Sequence, residues 1–371
     1  SLLFLLAVNL ISCLGSLNFS RSIIDYAGLV YLILIFLCFS SLLRKKGVFE
    51  KVISVIFLTA VVAATIGLLC LAAYSVGNNQ WAKNFLLFTP EKVSVIPFPR
   101  ITSVFILPEM FINFSQLGLT AGFILLSLER FAKSRKIIFI GILLIVLAAF
   151  FAYSRSLSGF FFILAGIALF NKNIKFSITL KSVLVCSSIF LVIAAIVTSS
   201  WVIYPIQIHK DKSQEVTFVS FHTSPDIRAF LRKAALDISL RYPFFGIGQG
   251  MFTGELKNYI DHNEAKKTLE INNLTSIEID PHCAYTGAMA ETGFTGLFAF
   301  MIFFYLMCRW SITSIIKSSN IEFKAVGICL LVGIFGYLLN GFFMDIFSVR
   351  QLWLNLGLLA ASNYRLNEAY E

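Results

Sequence analysis

The sequence predicts an all-α polytopic membrane protein with about ten transmembrane helices. Hydrophobic residues make up 58% of the chain, charged residues make up only 13%, and the mean hydropathy is +0.83. A soluble domain of this length needs far more charged surface. Apolar runs of about 20 residues, enough to cross a roughly 30 Å hydrocarbon core, recur along the chain. The composition therefore excludes a soluble globular class.

The apolar runs between polar, glycine- or proline-containing breaks define each predicted helix. The predicted spans are 2–17, 23–43, 52–76, 108–128, 136–153, 157–170, 181–201, 283–308, 324–346 and 351–363. They form one predicted membrane domain over residues 1–371. The chain begins at Ser1 already inside an apolar run, so we expect a preceding segment to be missing.

Lysines and arginines cluster in alternate loops between these spans. The clusters are Arg44, Lys45, Lys46 and Lys51; Arg130, Lys133, Arg135 and Lys136; Lys172, Lys175 and Lys181; and Arg309, Lys317 and Lys324. The positive-inside rule places these loops in the cytoplasm, and the other connections, including the long loop 202–282, outside. This topology explains the net charge of +10, so we expect no nucleic-acid partner.

The long loop contains an amphipathic helix in SPDIRAFLRKAALDISLRYPFFG. Ser224 is a suitable cap and Pro225 suits the first turn. One stripe is apolar: Ile227, Phe230, Leu231, Ala234, Ala235 and Ile238. Arg228, Arg232 and Lys233 fall on the opposite side. A helix lying on the membrane surface, with its basic side facing lipid head groups, is one open interpretation.

Three arginines stand beside apolar runs on the predicted outer side: Arg100, Arg155 and Arg350. An arginine at membrane depth costs about 2.5–3.5 kcal/mol on insertion scales, so it usually meets a carboxylate, a cavity or an anionic ligand. Each one alone fits snorkelling to lipid phosphates, or an ion pair such as Arg350 with Asp345. Together they predict a cationic pocket suited to a lipid-linked diphosphate.

His282 stands where the polar loop meets a long apolar run, in IDPHCAYTG. Histidine has an ordinary pKa of about 6.5, so it accepts a proton from a hydroxyl at neutral pH. Taken alone, it fits a helix cap or an interfacial residue equally well. A base beside a diphosphate clamp predicts glycosyl transfer, with arginines stabilising the departing diphosphate.

Four motifs then follow one another along residues 97–360. They are Arg100, Phe105 and Pro108; Ser154-Arg155-Ser156; Asp226-Ile227-Arg228 followed by Pro243, Gly246, Gly248, Gly250 and Phe252; and His282 and Tyr285 followed by Glu291, Gly293, Gly296 and Leu297. In order and spacing the chain resembles the O-antigen ligase and O-antigen polymerase superfamily of bacterial envelope glycosyltransferases. Cys283 and Glu109 depart from the family pattern, where asparagine is common.

The resemblance implies a membrane enzyme of the GT-C type that passes a glycan from an undecaprenyl diphosphate carrier to an acceptor hydroxyl. The reaction takes place outside the bacterial inner membrane, with inversion at the sugar and without a metal or other cofactor. His282 is then the general base, and Arg155 and Arg228 hold the donor diphosphate. Secondary candidates are Arg232, Arg100 and Arg350. The acceptor is left open between a glycan, lipid A core and a protein.

Two acidic residues near His282 have less direct roles. Glu291 lies nine residues further on, about 13 Å along a continuous helix, so we expect it to be a buried partner for an arginine or to mark a break near Gly293. Asp280 is a candidate for orienting the imidazole. Glu278 and Asp280 resemble an Asp-x-Asp metal site, but arginines holding a lipid diphosphate leave a metal little to do.

The seven cysteines are scattered without a Cys-x-x-Cys pair, which argues against a disulfide framework or a zinc site. Cys283, beside His282, fits a small residue entering a helix better than a thiol nucleophile. Two other function classes stay open. An envelope glycan exporter or permease would place charged or broken segments at bilayer mid-depth, whereas a non-catalytic scaffold would use loop 202–282 to bind partners.

Overall fold

The chain folds into a bundle of long helices. The computed structural model describes residues 1–45, 47–77, 80–88, 99–170, 185, 189, 201–210, 217–225, 227–259 and 281–368. Its α-helices are α1 (Leu2–Leu14), α2 (Phe19–Leu42), α3 (Val48–Gly77), α4 (Pro108–Ser127), α5 (Arg135–Phe151), α6 (Leu157–Phe170), α7 (Ile227–Arg241), α8 (Phe252–Glu255), α9 (Ala284–Lys317), α10 (Ile321–Asn340) and α11 (Arg350–Glu368). Every predicted span except 181–201 coincides with one of them. That span lies outside the described residues, apart from helical Val185 and Ile189 and position 201, where a strand begins.

Within the described ranges, six helices are long and apolar enough to cross a membrane, so the chain is a multi-pass membrane protein. They are Phe19–Leu42, Val48–Gly77, Pro108–Ser127, Glu129–Phe151, Ala284–Lys317 and Ile321–Asn340. Helices α1 and α6 are apolar but shorter. Of the ten predicted spans, nine coincide with described helices, six of these nine meet the length and hydropathy of a membrane span, and span 181–201 lies largely outside the described residues. Helix α11 is less apolar, and its polar residues include Asn355 and Asn363, which are fully buried in the bundle instead of facing lipid.

Contacts between helix termini define two ends of the bundle. The end formed by the starts of α4, α6, α9 and α11 carries the His282 turn, and we call it the histidine end. At the opposite end, Glu50 Oε1 lies 3.4 Å from Arg365 Nη1 and 3.8 Å from Arg130 Nη1. Lys45 and Arg130, from two of the basic clusters that predicted the topology, therefore lie away from the candidate site, whereas Lys172, Lys175 and Lys181 lie outside the described residues.

Helix α4 is the centre of the bundle and packs against α3, α5, α6 and α10. Its buried polar side chains need partners, which the neighbouring helices supply. Tyr337 donates its hydroxyl hydrogen to Asn113 O at 2.6 Å, and Asn340 Nδ2 donates to Asn113 Oδ1 at 3.3 Å. Gln116 Nε2 donates to Ser156 O at 3.2 Å. These bonds fasten the α5–α6 turn to the core at the histidine end.

Two antiparallel hairpins depart from the all-α prediction. Strand β1 (Leu86–Phe88) pairs with β2 (Pro99–Ile101), and β3 (Trp201–Lys210) pairs with β4 (Thr217–Pro225). Ser224 and Pro225 therefore end a strand, and the prediction that they begin the amphipathic helix is wrong. The ladder bonds of the hairpin satisfy their backbone groups. Helix α7 begins at Ile227, within the bounds predicted for the loop helix.

Candidate functional site

His282 lies in a tight turn that precedes α9. Two residues later, Ala284 donates its backbone N–H to Gly341 O at 2.8 Å and to Met344 O at 3.2 Å. These bonds fasten the turn to the chain that follows α10. The imidazole is partly exposed, while Cys283 beside it is buried. His282 is therefore held at the histidine end by backbone bonds and remains accessible there.

Arg155 lies in the short turn between α5 and α6. Its Nη1 atom is buried, and the next residue, Ser156, donates its hydroxyl hydrogen to Met344 Sδ at 3.4 Å. Because the carbonyl of Met344 accepts from Ala284, the Arg155 turn and the His282 turn share one neighbour. The structure thus brings two predicted site residues from distant parts of the chain to the same end of the bundle.

Arg100 reaches the same turn from strand β2. Its Nε donates to Ala152 O at 3.1 Å, and its Nη2 lies 3.6 Å from Glu109 Oε1. Burial lowers the pKa of Arg100, the Glu109 carboxylate raises it, and the positive charge of Arg228 lowers it. The last effect requires Arg228 to lie close by. Arg100 thus connects the turn that carries Arg155 with Arg228, and we call Arg100, Arg155 and Arg228 the arginine cluster.

The backbone is strained beside these candidates. Among the described residues, the non-glycine residues with positive φ are Ser103 (53°), Tyr153 (46°) and His282 (48°). Ser103 follows Arg100 by three positions, and Tyr153 precedes Arg155 by two. Such a conformation costs of order 1–3 kcal/mol, and it persists where the surrounding structure imposes it, often at functional sites. All three strained positions thus belong to the segments that build the candidate site.

Helix α7 carries Arg228 and, one turn later, Arg232, and the Nε atoms of both arginines are buried. The predicted apolar stripe is confirmed beyond Ile227, whose side chain lies outside the described part: Leu231, Ala234, Ala235 and Ile238 are buried, and Phe230 packs against them. Their partners are Ile247, Met251, Phe252, Leu256 and Ala290. The interpretation of α7 as a helix on the membrane surface is therefore wrong, because protein covers its apolar stripe.

The glycine-rich turn after α7 docks onto a break in α9. Gly293 has φ 70° and ψ −177°, so the helix is interrupted there, as predicted. The freed carbonyls of Ala290 and Glu291 accept from Ile247 N at 3.0 Å and from Gly248 N at 2.9 Å. Beyond the break, Phe294 N donates to Pro243 O at 2.8 Å. We call this set of exchanged backbone bonds the glycine joint; it links α7 to α9.

Glu291 belongs to the glycine joint. Its Oε1 accepts from Phe252 N at 3.2 Å, and Gly250 donates a second backbone hydrogen bond to the carboxylate. Its main-chain oxygen also accepts from Ser12 Oγ at 2.8 Å. Within the described part of the chain the carboxylate pairs with backbone amides, so the expected arginine partner is a wrong prediction. Glu291 thus positions the glycine-rich turn.

Not every predicted residue joins the arginine cluster. Arg350 begins α11, where its guanidinium carbon lies 5.9 Å from the centroid of the Tyr31 ring. It lines a separate cavity together with Asp25 and Asp345. The suggested ion pair of Arg350 with Asp345 stays a prediction. Asp280 lies outside the described residues, so its role in orienting the imidazole stays a prediction.

Sequence reasoning missed Met344, which links the His282 and Arg155 turns, and Asn9 and Asp25, which line the separate cavity. Met344 belongs to no motif, because its role rests on a backbone carbonyl and a weakly accepting sulfur. Asn9 and Asp25 carried a usable signal, since polar residues inside apolar runs commonly face a bundle interior or a cavity.

Residues 140–301 match the family model described as O-antigen ligase. The matched region contains Arg155, Arg228, His282 and the glycine joint, whereas Arg100 and Arg350 lie outside it. No curated protein matches the chain.

Proposed function

We propose the following reaction, because residues 140–301 match the O-antigen ligase family model and that family implies a lipid-linked glycan transferase. A glycan passes from an undecaprenyl diphosphate carrier to an acceptor hydroxyl on the outer side of a bacterial inner membrane. Basic residues opposite the histidine end, such as Lys45 and Arg130, support this orientation. The family match supports a membrane glycosyltransferase of the ligase or polymerase type. The proposal adds the donor, the side of the membrane on which transfer takes place and the residues that act.

The arginine cluster at the histidine end is the observation that carries this proposal. Guanidinium nitrogens of Arg155, Arg228 and Arg232 are buried, and Arg100 is near enough to Arg228 to feel its charge. Charges held together away from water attract an anion more strongly than exposed ones do. Arginine forks match the paired oxygens of a diphosphate. Arg155 and Arg228 are therefore proposed to hold the donor diphosphate, with Arg100 and Arg232 in support.

His282 is proposed as the general base. It removes the proton from the acceptor hydroxyl while the oxygen attacks the anomeric carbon of the lipid-linked sugar. The bond from that carbon to the diphosphate oxygen breaks, and the electron pair leaves with the diphosphate, with inversion at the sugar. The arginines stabilise the growing negative charge, so the leaving group needs no proton and the reaction no metal. His282 then returns its proton to solvent.

The clamp is tested with the purified chain in lipid nanodiscs and a synthetic undecaprenyl diphosphate oligosaccharide. We expect Arg155→Ala and Arg228→Ala each to weaken donor binding roughly 10- to 100-fold, the loss of charged hydrogen bonds worth about 1.5–3 kcal/mol. Lys233→Ala is the matched control, since Lys233 is exposed on the same helix. Unchanged donor affinity in both arginine variants would refute the clamp.

The base is tested with His282→Ala in the same nanodiscs. We expect transfer to be lost while donor affinity and the unfolding temperature stay near those of the wild type. Full transfer by this variant would rule out His282 as the base. Activity retained after treatment with a chelator is expected, and its loss would contradict the metal-independent mechanism.

The acceptor and the competing function classes are resolved by product analysis. Separate reactions receive the donor with lipid A core, with a second lipid-linked glycan, or with a pilin-like protein. A product with one of them distinguishes ligase, polymerase and protein-glycosylating activity. An exporter would instead move the labelled lipid-linked glycan across proteoliposomes without forming a product, and a scaffold would do neither.

A further inference from the structure

A separate polar cavity lies beside the His282 turn. It has a volume of about 350 Å³ and is enclosed by α1, α2, the first turns of α9 and the segment 345–350. Pockets for small molecules usually measure about 300–1,000 Å³. Pro281 and Cys283, the two neighbours of His282, line this cavity, whereas no described residue of the arginine cluster does. The cavity is therefore adjacent to the candidate base and distinct from the candidate diphosphate site.

The charges around this cavity exclude a diphosphate as its ligand. Among the residues that the structure describes, three carboxylates line it, from Asp25, Glu291 and Asp345, against one guanidinium, that of Arg350. A phosphorylated ligand would face a surplus of negative charge within a few ångströms. The cavity is thus suited to a ligand that is neutral and donates hydrogen bonds.

The side chain of Asn9 gives an independent indication of such a ligand. Asn9 is only 1% exposed, and its Nδ2 donates to Leu5 O at 2.8 Å. Within the described part of the chain, its buried Oδ1 accepts no hydrogen bond, and neither does Oε1 of Gln249. Both residues line the cavity. Buried acceptors are normally satisfied, so these two amide oxygens call for a donor from outside the chain.

We propose that this cavity binds a neutral, hydroxyl-rich sugar ring of the glycan substrate, which rests on the glycosyl transfer proposed above. Ring hydroxyls donate to Asn9, Gln249 and the carboxylates. Tyr31, which lines the cavity and is 51% exposed, offers an aromatic face to the apolar side of a sugar. Because Pro281 and Cys283 form part of the wall, a ring held here has its hydroxyls close to His282.

Gly28 offers a direct way to fill the cavity. It lines the wall within α2, and a Cβ atom added there meets no atom within 4 Å. Gly28→Leu therefore extends into open space, and replacing a helical glycine favours the helix. Ala27 is exposed on the same turn and does not line the cavity, so Ala27→Leu is the matched control.

Binding is measured by saturation-transfer NMR on the full chain in nanodiscs, with the neutral disaccharide N,N′-diacetylchitobiose and a disaccharide containing glucuronic acid as probes. We expect the wild type and Ala27→Leu to bind the neutral probe roughly tenfold more tightly than the charged one. Gly28→Leu should abolish the signal. Equal binding by Gly28→Leu, or no binding of the neutral probe by the wild type, would overturn the proposal in favour of a water-filled cavity.

Two buried asparagines provide a comparison that distinguishes an effect on sugar binding from an effect on folding. Asn355 resembles Asn9, because it is fully buried, its Nδ2 donates to a helical carbonyl at 3.4 Å, and its Oδ1 has no partner among the described residues. Asn355 does not line the cavity. We expect Asn9→Leu to weaken binding of the neutral probe roughly fivefold, the loss of one hydrogen bond, and Asn355→Leu to leave it unchanged. Equal effects of both substitutions would contradict a binding role.

Kinetics decide whether the ring belongs to the acceptor or to the donor. In transfer reactions, Gly28→Leu should raise the KM for the acceptor at least about tenfold if the acceptor ring occupies the cavity, and the KM for the donor if the donor ring does. If neither KM changes while the wild type forms product, the cavity proposal fails. If the wild type forms no product with any acceptor, the proposed function fails, and the NMR comparison still decides the cavity.

Discussion

Replacing Gly293 with alanine tests whether the break in α9 is required by the fold. With φ 70° and ψ −177°, Gly293 occupies a backbone region that is essentially reserved for glycine. A Cβ atom there would also overlap the carbonyl of Phe244. The strained conformation costs about 1–3 kcal/mol, and loss of the bond from Phe294 N to Pro243 O adds about 1 kcal/mol. We expect Gly293→Ala to lower the free energy of unfolding by about 2–4 kcal/mol.

The assay combines equilibrium unfolding in detergent with hydrogen–deuterium exchange of the folded chain. The amides of Ile247, Gly248 and Phe294 should exchange faster in Gly293→Ala, because their acceptors lie across the glycine joint. Gly28→Ala is the control, and it should be neutral or stabilise α2 by up to about 1 kcal/mol. If Gly293→Ala changes neither the free energy of unfolding nor exchange in the glycine-rich turn, α9 is continuous and the glycine joint does not exist.

The packing of α7 and the charge of the arginine cluster give two further predictions. Ala235→Asp buries a charge against α9 and should lower the free energy of unfolding by about 3 kcal/mol in equilibrium unfolding. Its neighbour Leu236 is 43% exposed, so Leu236→Asp should change the free energy of unfolding by less than about 0.5 kcal/mol. Equal effects of the two substitutions would favour a helix that rests on lipid. Glu109→Gln removes the carboxylate that lies 3.6 Å from Arg100. The substitution should lower the free energy of unfolding by at most about 1 kcal/mol and strengthen donor binding in nanodiscs. Weaker donor binding would show that Arg100 needs this partner.

Hydropathy was sufficient for most of the helical framework, because a run that crosses a bilayer must be apolar for nearly its whole length. Hydropathy failed where polar side chains are buried against neighbouring helices. Asn355 and Asn363 make α11 too polar for a span by composition, although both are fully buried. The β3–β4 hairpin was missed because its strands alternate weakly and stand beside a strongly periodic helix.

The kinds of residue in the candidate site could be predicted from the sequence, but which of them lie close together could not. Arg100 and Arg155 were singled out because charges beside apolar runs are costly, and Arg228 because of the family resemblance; the structure brings Arg100 to the turn of Arg155 and near Arg228. Arg350 satisfied the same criterion yet lines another cavity, since only the packing of α11 against α2 decides where its side chain lies. The pairing of Glu291 with backbone amides depends on a turn more than thirty residues away, which no local pattern reveals.

The glycine joint has a mechanical consequence for a protein embedded in lipid. His282 precedes α9, and Arg228 lies on α7. The glycine-rich turn after α7 is bonded to α9 at Ala290, Glu291 and Phe294. When a thinner or thicker bilayer changes the tilt of α9, the candidate base and this arm of the clamp move together. Their mutual distance is then set by protein bonds and not by lipid, and the Arg155 turn is bonded to Met344, the same neighbour that holds the His282 turn. The distances between His282, Arg155 and Arg228 are therefore expected to change little when the bilayer becomes thinner or thicker.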